Sequence, residues 1–230
     1  MKSIFSYDSP VMQILMYIGD LIILNFIYLI CCLPIFTIGA AQAGMYTAMR
    51  VLNDKEDDSS AAAAFFRGFA NGFGKVTLAW GLLSLGLVLV GVAAIYGYAL
   101  ELPAWVCIVS FCVGALFQSL VPAFHSRFGC TAMQLIRNSW FLLVAHPLRS
   151  LGVAVLVWLP GAIFLIDGYT FMMLAPIWCT LYFATAFLFA ELFLRKPFKT
   201  LVDNFNEAHP EALPEPEEAE EKIFSDTPDE

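Results

Sequence analysis

Charge is scarce in this chain. Only 14% of its 230 residues are Asp, Glu, Lys or Arg, against about 25% in a soluble globular domain. The twelve Lys and Arg form no basic stripe, which excludes a nucleic-acid footprint. The six cysteines (Cys31, Cys32, Cys107, Cys112, Cys130, Cys179) contain no Cys-x-x-Cys pair. Neither a zinc site nor a disulfide framework is therefore indicated. Five of them lie in apolar runs and are expected to be reduced, acting as small hydrophobes. The histidines, His125, His146 and His209, do not pair at metal-binding spacing. A nucleophile elbow and a phosphate-cradling Gly-rich loop are also missing. No catalytic, cofactor-binding or metal residue is expected, and the expected class is not an enzyme.

What the sequence does contain is apolar length. Hydrophobic residues make up 60% of it, and a spanning helix needs about 20 of them in succession. The spacing predicts one domain of five spans at about 11–38, 76–98, 104–124, 148–166 and 171–194. Short turns at Glu101–Pro103 and Asp167–Gly168 make two antiparallel hairpins. The fold class expected is all-α: a polytopic membrane protein with about five transmembrane helices and two interfacial amphipathic helices on the cytoplasmic side. The first run is the ambiguous one. It is long enough for two shorter helices about Leu33-Pro34, and a re-entrant or broken helix there would place the amino terminus inside. A cleaved signal peptide fits poorly, because the apolar region is too long and only Lys2 precedes it.

Basic residues fall in alternate gaps. Arg50, Lys55, Arg67 and Lys75 follow the first run, and the gap at Glu101 has none. Arg127, Arg137 and Arg149 come next, and the gap at Asp167 has none. Arg195, Lys196, Lys199 and Lys222 follow the last run. Basic loops stay cytoplasmic, so the amino terminus is expected outside and the carboxyl terminus inside a bacterial cell membrane. Eleven of the twenty acids lie in 203–230, an acidic tail whose low hydrophobicity favours disorder.

Two cytoplasmic loops carry helical periodicity. Phe65, Phe69 and Phe73 oppose Arg67, Asn71 and Lys75 on a helix over 61–75, with Asp57, Asp58, Ser59 and Ser60 as capping residues. Met133, Ile136, Trp140 and Leu143 form one face of a second helix, ended by His146-Pro147. Both are expected to lie in the interface, with Arg67, Lys75, Arg127, Arg137 and Arg149 as candidate lipid-headgroup contacts. The chain then reads as one span followed by two copies of an interfacial helix plus a hairpin.

Polar residues within the spans are the remaining candidates. Asp20 is a membrane carboxylate, and Asn25 can hydrogen-bond to another helix. Pro34, Thr37 and Gly39 interrupt the first run, where Thr can satisfy a carbonyl freed by Pro. Gln118 and Ser119 make a second polar break. Glu191 is spaced to pair with Arg195.

Leu24-Asn25, then Cys31-Cys32-Leu33-Pro34-Ile35-Phe36-Thr37-Ile38-Gly39 and Ala48, resemble the opening of the YesL-like family of bacterial membrane proteins. So do Phe65-Phe66-Arg67-Gly68-Phe69 with Phe73, Pro122-Ala123-Phe124 with Arg127-Phe128, Asn138, and His146-Pro147-Leu148-Arg149. The resemblance covers nearly all but the acidic tail. That family has no established activity, so no catalytic residue is carried over. Its members are often encoded beside carbohydrate importers, which implies an accessory or interaction role in sugar uptake or its regulation. The expected partners are the lipid bilayer and, by this resemblance, transporter subunits or a second copy of the chain. A small oligomeric transporter or channel lined by Asp20, Asn25, Gln118 and Ser119 is the alternative.

Overall fold

The computed structural model describes residues 10–53, 60–97, 104–128 and 131–208. Lys2, Lys55, the caps Asp57–Ser59, the Glu101–Pro103 turn, Cys130 and the acidic tail beyond Ala208 lie outside them. Every described element is helical. Helices α1 (Pro10–Cys31), α2 (Ile38–Asn53), α3 (Ala61–Gly72), α4 (Lys75–Gly97) and α5 (Ala104–His125) come first. They are followed by α6 (Ala132–Ala145), α7 (Pro147–Ile166), α8 (Gly168–Met173), α9 (Ala175–Ile177) and α10 (Phe183–Ala208). Four stretches are long and apolar enough to cross a membrane: Val11–Cys31, Lys75–Ala93, Pro147–Ile166 and Ala175–Asp203. Val109–His125 is a shorter apolar helix. The chain is a polytopic all-α protein. It divides into two compact units, Met1–Phe193 and Leu194–Glu230, a boundary earlier than the composition change at Asp203.

The first apolar run is two helices. α1 ends at Cys31, a 3-10 turn covers Ile35–Thr37, and α2 begins at Ile38. Pro34 lacks the N–H a continuing helix would need. Thr37 Oγ1 lies 2.5 Å from the Cys31 carbonyl and 2.6 Å from the Pro34 carbonyl and donates to them. The hydroxyl thus satisfies backbone that the break exposes. Ser60 caps α3 by accepting from the Ala63 N–H at 3.3 Å. Asp167 caps α8 by accepting from the Tyr169 and Thr170 N–H groups at 3.0 and 3.2 Å.

α2 is the centre of the first unit, with Gly39 through Ala43 and on to Tyr46 buried without a break. It packs most extensively on α3, and the contact is built from small residues. A Cβ on Gly68 would overlap the Thr47 side chain, meeting its Cβ at 2.7 Å, and would lie 3.0 Å from the Gly44 Cα. Close backbone approach of this kind is how helices associate when solvent gives no hydrophobic drive. The face α3 buries is therefore Ala61, Ala64, Phe65, Gly68 and Gly72, and the phenylalanine stripe is divided. Phe65 is fully buried in protein and Phe69 is half-buried, while Phe73 is exposed. α6 likewise buries Leu135, Ser139, Leu142 and Leu143; Met133 and Trp140 of its expected apolar face point outward.

The last span is interrupted. Leu174 separates α8 from α9, and Trp178–Tyr182 form a π turn before α10. Tyr28 of α1 packs against Phe183 in a tilted pair and against Phe187 edge-on, with ring centroids 5.3 and 5.4 Å apart. Asn25, one turn earlier, meets Trp178 and Cys179. α1 therefore runs in the same direction as the last span. Only its carboxyl half is seated in the bundle, through Leu21, Leu24, Asn25 and Tyr28. From Val11 to Asp20 no residue is buried, and Val11, Ile14, Leu15, Met16 and Ile18 are exposed.

Candidate functional site

Three polar constellations lie within this frame. The first joins α1 to the π turn. Asn25 Nδ2 donates to the Trp178 carbonyl at 3.1 Å and the Cys179 carbonyl at 2.7 Å. Asn25 Oδ1 accepts from the Ala184 N–H at 3.1 Å. A π turn disturbs the i to i−4 ladder and leaves backbone groups without helical partners, and unpartnered groups at this depth are costly. One amide thus answers three of them. Asn25 is fully buried, and its hydrogen-bonding capacity is taken up by structure.

The second is a half-open chamber of about 320 Å³, lined by Tyr28, Gln42, Trp80, Gln118, Ser119 and Trp158 among others. Gly39 lets α2 reach α4 here, because a Cβ on it would stand 2.7 Å from the Trp80 Cβ. Gln118 Nε2 donates to Ser84 Oγ at 2.5 Å, and Ser84 donates to the Trp80 carbonyl at 2.9 Å. Ser119 Oγ donates to the Ala115 carbonyl at 2.9 Å, which also receives Trp158 Nε1 at 3.2 Å. Gln118 Oε1 is buried and meets no donor among the described residues. Two amides and three large aromatic side chains give the chamber neutral polar and stacking surfaces, with no ionisable acid or base on its described lining apart from the Tyr28 phenol.

The third lies where the basic ends of the helices gather. Arg50 Nη1 donates to the Ser126 carbonyl at 2.8 Å. Arg127, in the turn that follows α5, forms an ion pair with Glu191 from α10. Glu191 is 4% exposed and Arg127 20%. Burial of this carboxylate is tolerable because it is paired and hydrogen-bonded. Arg127, expected among the headgroup contacts, is thus turned into the protein, where it meets Glu191. An open cleft of about 270 Å³ lies beside this pair, lined by residues of α2, α3 and α5 together with Ser126.

The remaining candidates are dispersed. Asp20 is exposed on the unseated half of α1, away from the chamber. Pro34 and Thr37 serve the helix break. Arg67 and Lys75 are exposed at the basic end, with Arg67 in the cleft wall. Arg137 is exposed on α6, and Arg149 half-buried at the start of α7. Among the described residues no group of three or more His, Cys, Asp or Glu could hold a metal ion. Cys31, Cys32, Cys112 and Cys179 are free thiols, the last two on the exposed surface rather than buried. Gln42, Trp80 and Trp158 were not singled out in the sequence, because each sits alone in an apolar or small-residue run.

Residues 21–94 match the family described as a protein of unknown function, DUF624. That stretch runs from the seated half of α1 to α4, and includes Asn25, the Pro34–Gly39 break and the α2–α3 contact. No curated protein and no solved structure matches the chain.

Proposed function

We propose that this is a YesL-like integral membrane protein of the bacterial cell membrane, acting as an accessory or interaction component in carbohydrate uptake or its regulation rather than as an enzyme. The link to carbohydrate rests on the sequence resemblance. An interaction role is supported by one observation above the others: the polar residues expected to line a route are apart. Asn25 is consumed by the π turn, and Asp20 stands on the outer face of α1. Purification of the full chain from its native membrane in mild detergent tests the proposal. Recovery of transporter subunits in stoichiometric amounts is expected, and recovery of the chain alone would count against it.

One observation favours a second reading, a small oligomeric transporter. Gln42, Gln118 and Ser119 line the chamber beside aromatic walls, as in a site for a neutral polar solute. Uptake by reconstituted liposomes that Gln118→Leu and Ser119→Ala leave unchanged would remove it.

The amino terminus is proposed to lie outside and the carboxyl terminus in the cytoplasm. Arg50, Arg127 and the start of α4 at Lys75 share one end of the first unit, and α1 runs parallel to the last span, which supports this orientation. Cysteines placed at Ser3 and Ser225 should label from opposite sides of the membrane. Labelling of both from one side would refute the assignment.

A further inference from the structure

We infer that the cleft between α2, α3 and α5 is a binding site for a phosphate group. Its described lining comprises Arg50 and Arg67, the imidazole of His125, the polar side chains of Thr47, Asn71 and Ser126, and little else. None of those residues is acidic. Two guanidiniums on one small concavity are suited to the tetrahedral oxygens of a phosphate, to which Arg binds through a planar fork of donors.

Each part is held in place by the fold. Arg50 spends one donor on the Ser126 carbonyl, which fixes its head in the wall and leaves further donors on the same guanidinium. His125 lines the cleft as an imidazole whose pKa is held below its ordinary value by burial first and by the charge of Lys75. The floor is Gly68 on Thr47. With no Cβ on Gly68, α3 approaches α2 closely and brings Arg67 to the same rim as Arg50. Lys75 lies within electrostatic reach of His125 and adds a further positive charge. The cleft opens at the basic end, where both a phospholipid headgroup and a free phosphate could reach it. The chemistry shared by the two is a phosphate anion.

The test uses the full chain, purified in a non-ionic detergent free of phosphate. One arm titrates inorganic phosphate by calorimetry. The other incorporates the protein into nanodiscs of phosphatidylcholine with graded phosphatidic acid and counts retained lipid by native mass spectrometry. Arg67→Gln is the principal variant, because its side chain is exposed and glutamine keeps its length and hydrogen-bonding head without the charge; Arg50→Gln is the second, and Arg137→Gln on α6 the control. Saturable binding in either arm, weakened about tenfold by Arg67→Gln and unaffected by Arg137→Gln, is expected from loss of one charge-assisted contact. Binding in the first arm identifies a soluble phosphate as a ligand, and in the second alone a phospholipid. Absence of saturable binding in both arms would overturn the assignment. So would binding that Arg67→Gln and Arg50→Gln leave at the wild-type level.

Discussion

Asn25 of α1 and Trp178 of the last span are joined by a hydrogen bond from a side-chain amide to a backbone carbonyl, 3.1 Å long and fully buried. The same amide reaches Cys179 and Ala184, so one residue ties two helices together across 153 positions of sequence. Asn25→Leu keeps a similar volume but strands two carbonyls and an N–H. A loss of about 1–3 kcal/mol is expected, read as a lower unfolding midpoint in detergent. A midpoint equal to that of the wild type would mean that the π turn does not depend on the clamp.

The Arg127–Glu191 pair calls for a double-mutant cycle. Arg127→Met or Glu191→Met alone removes one member of a mostly buried ion pair, and each should cost up to about 3–5 kcal/mol. The double variant should lose far less than the sum, since no charge is then left unpaired. Additive losses would show that the two side chains do not interact.

Close packing at Gly68 predicts a contrast between two glycines. Gly68→Ala drives a methyl into Thr47 and should cost about 1–3 kcal/mol. Gly81→Ala, on α4, meets nothing within 4 Å and should be neutral or stabilising by up to about 1 kcal/mol. Thermal unfolding of the two variants side by side would reveal the difference. Equal effects would contradict the α2–α3 contact.

Asp167 sets an acid limit at the α7–α8 turn. The Thr170 hydroxyl, then the Tyr169 and Thr170 N–H groups, hold its carboxyl below the ordinary value of 3.8. Its contribution is therefore present above about pH 4. It fades as pH falls through the lower folded value. Asp167→Asn should lower the melting temperature at pH 7, and the difference from wild type should shrink as pH falls below the ordinary carboxylate range. A gap between the two proteins that does not narrow at all on acidification would be inconsistent with this cap.

Long uniform runs were legible. The span expected at 76–98 is α4, Lys75–Gly97, and that at 148–166 is α7, Pro147–Ile166, because lipid demands continuous apolar helix and Pro147 marks a start. Pro34 and Thr37 announced a break by their backbone chemistry. The burial of α2 could not be read in the same way. Its glycines and alanines resemble a soft connection until α3 is laid against them, and small residues signal nearness without naming a neighbour. The Phe65 side chain was misplaced for this reason: the narrowest face of α3, not the bulkiest, is the one that enters the protein. The π turn itself was silent, since Trp178 to Tyr182 is compatible with an unbroken span, whereas Pro176, which lacks a helical N–H, marks the interruption just before it. Counting basic residues placed Arg127 at the right end of the bundle but could not distinguish a cation facing lipid headgroups from one facing Glu191.

A π turn inserts one extra residue into a helix, and each residue in an α-helix advances the azimuth by about 100°. The segment from Phe183 onward is therefore turned by roughly that angle relative to an unbroken helix. Glu191 lies two turns beyond the insertion. Without the extra residue its carboxylate would swing away from Arg127 by about a quarter of a revolution. The amide of Asn25, which holds Ala184 some ten ångströms below Glu191 by helical rise, thus acts as the indexing pin that sets which way Glu191 faces.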